Sequence, residues 1–172
     1  EAGSNLPPRQ FDYTYNWGAG TYTRTGPDGV ETFVQLDAAN RVEFVRRGPA
    51  AAPLMTATYT YFANDLVQSV TYGNGASTWY TYDAARRTTR IEHRKPGSSA
   101  NVVLRMDYTY TVNDLPQTIT ESDNLTGVWV TRAETTFGYD HRQRLTSEQR
   151  LGTNLYILGY AYDAGGNRIK KI

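Results

Sequence analysis

A chain of 172 residues with 39% hydrophobic residues, 14 tyrosines and no cysteine has the length of a single domain. Its net charge of +1, from 18 basic and 17 acidic residues, gives no global field to draw in nucleic acid or an anionic membrane, and the absence of thiols excludes disulfides and thiolate metal sites. A mean hydropathy of −0.60 and the lack of any run of about 18 apolar residues exclude a helical membrane span. Tyrosine and threonine both suit a pleated, half-buried surface, and a disordered chain of this polarity would be poor in aromatics. The composition predicts an almost entirely β protein.

In chain order, one phrase recurs: an aromatic, any residue, then Tyr. It stands at Tyr13-Thr-Tyr15, Tyr59-Thr-Tyr61, Tyr80-Thr-Tyr82, Tyr108-Thr-Tyr110, Phe137-Gly-Tyr139 and Tyr160-Ala-Tyr162. A degenerate copy, Val34-Gln-Leu36 followed by Asp37, fits between the first and second. The anchors at 15, 36, 61, 82, 110, 139 and 162 are separated by 21, 25, 21, 28, 29 and 23 residues. Such spacing describes a constant unit with loops of varying length, and a repeat of this kind decides the architecture.

Each unit reads as a β-hairpin. Aromatics at i and i+2 share one face of a strand. Turn formers follow at Asp37–Asn40, Asn64-Asp65, Asp83-Ala-Ala, Asn113-Asp114, Asp140–Gln143 and Asp163–Asn167. Asp and Asn bond their own backbone in tight turns, and Gly supplies positive φ. A second strand comes next, beginning at Arg41, Leu66, Leu115, Arg144 and Arg168; Pro116 implies a missing ladder bond or a bulge in its strand. Stronger breakers separate the units at Gly26–Gly29, Gly48–Pro53, Gly73–Gly75, Lys95–Ser99, Asp123–Gly127 and Leu151–Asn154. No amphipathic helix with caps is present, and no shift of composition marks a second domain, so residues 1–172 are expected to form one array of about seven hairpins.

The phrases Tyr82-Asp83-Ala-Ala-Arg86, Tyr139-Asp140-His-Arg-Gln-Arg144-Leu145 and Tyr162-Asp163-Ala-Gly-Gly-Asn-Arg168-Ile169 resemble the YD repeat of the RHS family, whose consensus runs Tyr-Asp-x-x-Gly-Arg-Leu. The resemblance covers essentially the whole chain; Leu36 in place of Tyr, and Phe62 and Thr111 in place of Asp, depart from it. It implies consecutive antiparallel hairpins in an elongated, twisted or spiralling sheet, as in bacterial toxin shells, the toxin-complex shell and teneurin-like barrels. The family's self-cleaving aspartate motif and a cargo domain have no match in the sequence. The implied repeat residues are Tyr15, Leu36, Asp37, Tyr61, Tyr82, Asp83, Tyr110, Tyr139, Asp140, Tyr162 and Asp163.

Nothing in the sequence points to catalysis. The ten aspartates include three, Asp83, Asp140 and Asp163, at one repeat position, which suits a turn acceptor or a partner for the hairpin's Arg, whereas a catalytic pair is built once. His93 and His141, the two histidines, lack ligand spacing, so no metal is expected, and no nucleophile or phosphate-cradling motif occurs. No cofactor is expected either. Arg86, Arg87, Arg90, His93, Arg94 and Lys95, beside Trp79, Tyr80 and Tyr82, form one basic and aromatic stretch, but strand alternation splits it between two faces, which disfavours nucleic acid. Trp17, Trp79 and Trp129 are candidate glycan contacts, against the alternative of cross-strand aromatic packing. Asn124-Leu-Thr126 matches a glycosylation acceptor.

The sequence therefore predicts a non-catalytic structural repeat segment of a longer protein, bacterial and extracellular or at the cell surface. Its partners would be neighbouring repeats or further copies joined head to tail, giving a shell or a filament. A carbohydrate- or cell-surface-binding adhesion module and the wall of a toxin-encapsulating shell are the alternatives.

Overall fold

The computed structural model describes residues 10–97 and 101–172. As the composition predicts, the fold is all-β. The described residues hold fourteen strands and one three-residue 3-10 turn at Trp17–Ala19. The chain divides between Ala76 and Ser77 into two compact units.

The first unit is a six-stranded antiparallel meander: β1 (Asp12–Asn16), β2 (Thr21–Thr25), β3 (Glu31–Leu36), β4 (Val42–Arg47), β5 (Met55–Tyr61) and β6 (Val67–Tyr72), each paired with its chain neighbour. The second repeats the plan with eight: β7 (Ser77–Tyr82), β8 (Thr88–Arg94), β9 (Val102–Tyr110), β10 (Pro116–Asp123), β11 (Val130–Tyr139), β12 (Leu145–Gly152), β13 (Tyr156–Tyr162) and β14 (Arg168–Lys171). Within each unit every connection among the described residues joins adjacent antiparallel strands, so the pairing there is local.

Residues directly opposite one another in such a ladder project to the same face. In the first unit one continuous row runs Tyr15–Tyr22–Val34–Val45–Ala57–Tyr72. In the second, Tyr80–Ile91–Met106–Glu121–Ala133–Gly152 and Tyr108–Ile119–Thr135–Arg150–Tyr156 form two parallel rows. Within each unit the tyrosines thus share a face with the aliphatic residues. The other face mixes hydroxyls with ring and charge pairs: Thr60 bonds Ser69 and Thr109 bonds Thr118, both at 2.7 Å, while Arg46 stacks 5.0 Å from the Phe33 ring and Arg94 4.3 Å from the Trp79 ring.

Among the described residues no second layer covers the tyrosine face within either unit. Among the described residues only Val34, Ala57, Val70 and Ala133 are buried hydrophobics. Cohesion must therefore come from ladder bonds and from contacts between neighbouring hairpins rather than from a packed core.

Pro116 shows how the ladder absorbs an irregular residue. The register shifts between Pro116 and Thr118, at the position where five other hairpins also shift, so Pro116, which lacks an N–H, occupies a bulge that the turn itself makes.

Candidate functional site

The feature that recurs in the structure is the tight-turn end of each hairpin. Asp37 N–H donates to Arg41 C=O at 2.8 Å, and Asn40 N–H donates back to Asp37 C=O at 2.9 Å. The same two bonds close the turns at Phe62–Leu66, Asp83–Arg87, Thr111–Leu115, Asp140–Arg144 and Asp163–Asn167. In all six the fourth turn residue is left-handed: Asn40, Asp65, Arg86, Asp114 and Gln143 at φ between 60° and 66°, and Gly166 at 89°. The register then slips by one residue at the anchor in each hairpin. This is a type I turn closed by a left-handed residue and a bulge, and it fixes which residues face each other.

Side chains lock the turn. The Asp83 carboxylate accepts from Arg87 N–H at 2.9 Å and from Arg87 Nε at 2.7 Å. Asp37 holds Arg41, and Asp140 holds Arg144, through the same pair of bonds. Asn167 replaces the arginine opposite Asp163 and donates from both its backbone N–H and its amide. All four carboxyls are held below the ordinary aspartate range. At Asp37 and Asp140 the leading cause is the backbone N–H of the arginine; at Asp83 it is the Arg87 side chain, and at Asp163 that of Asn167.

Four anchor tyrosines reach back to the hairpin before them. Tyr61 Oη donates to Val42 C=O at 2.7 Å, Tyr110 Oη to Thr88 C=O at 2.7 Å, Tyr139 Oη to Pro116 C=O at 2.8 Å and Tyr162 Oη to Leu145 C=O at 2.8 Å. Each acceptor lies six residues after the preceding anchor. Beside it, the guanidinium of Arg41 stacks 4.4 Å from the Tyr61 ring, that of Arg87 4.7 Å from Tyr110, and that of Arg144 4.6 Å from Tyr162. Arginine suits this position because its planar group can bond a carboxylate edge-on while stacking on a ring. Burial raises the hydroxyl pKa of Tyr61, Tyr110 and Tyr139, so each stays a donor at neutral pH.

The arginines also link successive turns. Arg41 bridges Asp37 and Asp65, and Arg87 bridges Asp83 and Asp114; Arg144 joins Asp140 to the Asp163 carbonyl. The first five turns therefore alternate. One kind begins with Asp and ends with Arg. The other, at Phe62–Leu66 and Thr111–Leu115, has neither at those two positions and offers an aspartate in the left-handed position to the arginine before it; the sixth turn keeps Asp163 but ends in Asn167. The working repeat is a pair of hairpins.

Other candidate residues fall elsewhere. Tyr82 lies on the tyrosine face 6.5 Å from Tyr80, and Leu36, at the bulge of β3, pairs with Val42. Tyr15 belongs to an exposed pile: Tyr13, Tyr15 and Trp17 stack at 6.2 and 5.0 Å with planes within 9°. Trp17 is 81% exposed. One face of Trp79 is taken by Arg94 at 4.3 Å, and one of Trp129 by Arg105 at 4.6 Å. The basic stretch is paired along its length, Arg87 with Asp83, Arg90 with Asp107 and Arg94 with Glu92. His93 Nδ1 bonds Thr78 Oγ1 at 3.1 Å, and His141 sits exposed in its turn. Asn124 opens the β10–β11 turn with its side-chain oxygen buried and without a partner among the described residues. No cluster of His, Cys, Asp and Glu suited to a metal occurs among the described residues.

Sequence reasoning read Asp83, Asp140 and Asp163 as turn acceptors or arginine partners, but it placed Arg86 and Arg168 in the motifs where the structure pairs Asp83 with Arg87 and Asp163 with Asn167. It also missed the carbonyls gripped by Tyr61, Tyr110, Tyr139 and Tyr162 and the stacking of Arg41, Arg87 and Arg144 on the next ring. The constant four-residue step from Asp37 to Arg41, Asp83 to Arg87 and Asp140 to Arg144 was the available signal.

No protein-family model matches the chain, and no curated protein matches it. Solved structures do. The TcdB2-TccC3-TEV structure aligns with 84% of this chain at 16% identity and a TM-score of 0.54, and the match takes up 9% of that chain. The TcdB2-TccC3-Cdc42 structure aligns with 83% at 16% identity and a TM-score of 0.53, again over 9% of its length. The likeness is one of fold. This chain spans less than a tenth of the chains it resembles.

Proposed function

We propose that the chain is a structural wall segment of a YD-type repeat protein, acting without catalysis in a shell or a repeat-built filament outside the cell. The observation that carries this reading is the clasp between hairpins. Tyr61, Tyr110, Tyr139 and Tyr162 spend their hydroxyls on backbone carbonyls, and Asp37, Asp83 and Asp140 spend their carboxylates on arginine. Groups engaged in this way are not free to move protons on a substrate. The fold likeness to a small part of the TcdB2-TccC3 structures supports a segment within a larger wall, and enclosure of a toxin would be one use of such a wall.

Electron microscopy of the full natural protein tests the proposal. Hollow particles or fibres are expected, with the outline separating enclosure from filament; small compact monomers would overturn it. The exposed Tyr13–Tyr15–Trp17 pile favours saccharide contact as a second property of the same wall.

A further inference from the structure

On the tyrosine face of the first unit a row of opposed residues runs Tyr13–Arg24–Thr32–Arg47–Met55 across β1 to β5. Adjacent strands lie about 4.8 Å apart, so Arg24 and Arg47 flank Thr32 with roughly 10 Å between their backbones. Together with Phe11 and the Gly26–Asp28 turn they line a cleft of about 360 Å³.

The charges in this cleft do not cancel. Arg47 pairs with Asp28 at 3.1 Å. Arg24 is exposed and pairs with no carboxylate among the described residues; its guanidinium rests 5.2 Å from the Phe11 ring. The cleft thus keeps about one positive charge at neutral pH, with a threonine set between two guanidinium groups. Arg41, Arg87 and Arg144 on the clasps are all committed to aspartate, so Arg24 stands apart from them in being free to take an external anion.

We propose that this cleft binds the anionic group of an acidic saccharide, a sulfate ester or a uronate carboxylate, while the sugar chain runs over the neighbouring Tyr13–Tyr15–Trp17 pile. Arginine forks match both oxyanions in a bidentate manner. Tyr13 lies directly opposite Arg24 on the same face, so the aromatic surface begins where the charged cleft ends. Aromatic rings beside guanidinium groups provide the two contacts an acidic sugar requires, apolar stacking and ion pairing. This goes beyond the wall role, since a wall needs neither an uncommitted arginine nor exposed rings.

The test is calorimetric titration of the intact chain with a heparin hexasaccharide, an oligogalacturonate, a neutral cello-oligosaccharide and inorganic sulfate. Binding of at least one acidic oligosaccharide, at least tenfold tighter than the neutral one, is expected. The preferred probe distinguishes sulfate from carboxylate recognition. Arg24→Gln, which removes no ion pair, and Trp17→Ala should each weaken binding severalfold with an unchanged circular dichroism spectrum. A Lys170→Gln/Lys171→Gln control, which removes two exposed positive charges of β14 that do not line the cleft, should bind like the parent. Equal loss in that control, unaltered affinity in Arg24→Gln, binding of sulfate alone, or no binding of either acidic oligosaccharide would overturn the proposal.

Discussion

The hydroxyl of Tyr110 donates to the carbonyl of Thr88 at 2.7 Å, joining β9 to the start of β8 by a bond outside the strand ladder. Without a packed core beneath the sheet, such bonds hold one hairpin against the next. Tyr110→Phe should destabilise the chain by about 1 kcal/mol, since it leaves a half-buried carbonyl unpaired. Tyr110→Ala, which also removes the ring from under Arg87, should cost about 2–3 kcal/mol. Tyr15→Phe, at an exposed ring, should be nearly neutral. Urea melts of the three variants measure the differences.

The left-handed turn position gives a prediction of opposite sign. Gln143 adopts φ 63°, a conformation costing an L-residue about 1 kcal/mol that glycine avoids. Gln143→Gly should therefore stabilise by about 0.5–1 kcal/mol, and Gly166→Ala should destabilise by about 1 kcal/mol. Gly152→Ala should be worse than either. A Cβ there would come within 2.2 Å of the Arg132 carbonyl, whereas Gly166 has open space. The order of thermal midpoints checks all three.

Acid should loosen the turns. The carboxyls of Asp37, Asp83 and Asp140 are held below the ordinary aspartate value by hydrogen bonds from arginine. A group whose folded pKa is depressed stabilises the fold fully above its unfolded pKa, about 4, and loses that contribution as pH falls through the folded value. The thermal midpoint should hold from pH 7 to about 5 and drop below 4. In Asp83→Asn the midpoint at pH 7 should be lower and the acid drop shallower. An unchanged acid limb in that variant would show that its carboxylate takes no part.

Much of this was legible in the residues. The spacing of Tyr15, Tyr61, Tyr82, Tyr110, Tyr139 and Tyr162 encodes hairpins because strand alternation and turn chemistry are local, and the meander never departs from local pairing. Pro116 marked one bulge by lacking an N–H, but five other hairpins bulge at the same position without a proline, a regularity set by the turn. The alternation of turns was harder to see. Phe62 and Thr111 look like damage to the motif when each hairpin is read alone. They make sense only once Arg41 and Arg87 are seen to reach forward to Asp65 and Asp114, a contact across more than twenty residues of chain. The covering of Trp79 and Trp129 was equally hidden, because the guanidinium groups over them come from β8 and β9.

The claim that the tyrosines act as fasteners between hairpins is tested most directly by removing four hydroxyls together. A Tyr61→Phe/Tyr110→Phe/Tyr139→Phe/Tyr162→Phe variant should lose about 4 kcal/mol in a urea melt, the sum of four well-separated bonds. A melt that overlays the parent's would contradict it.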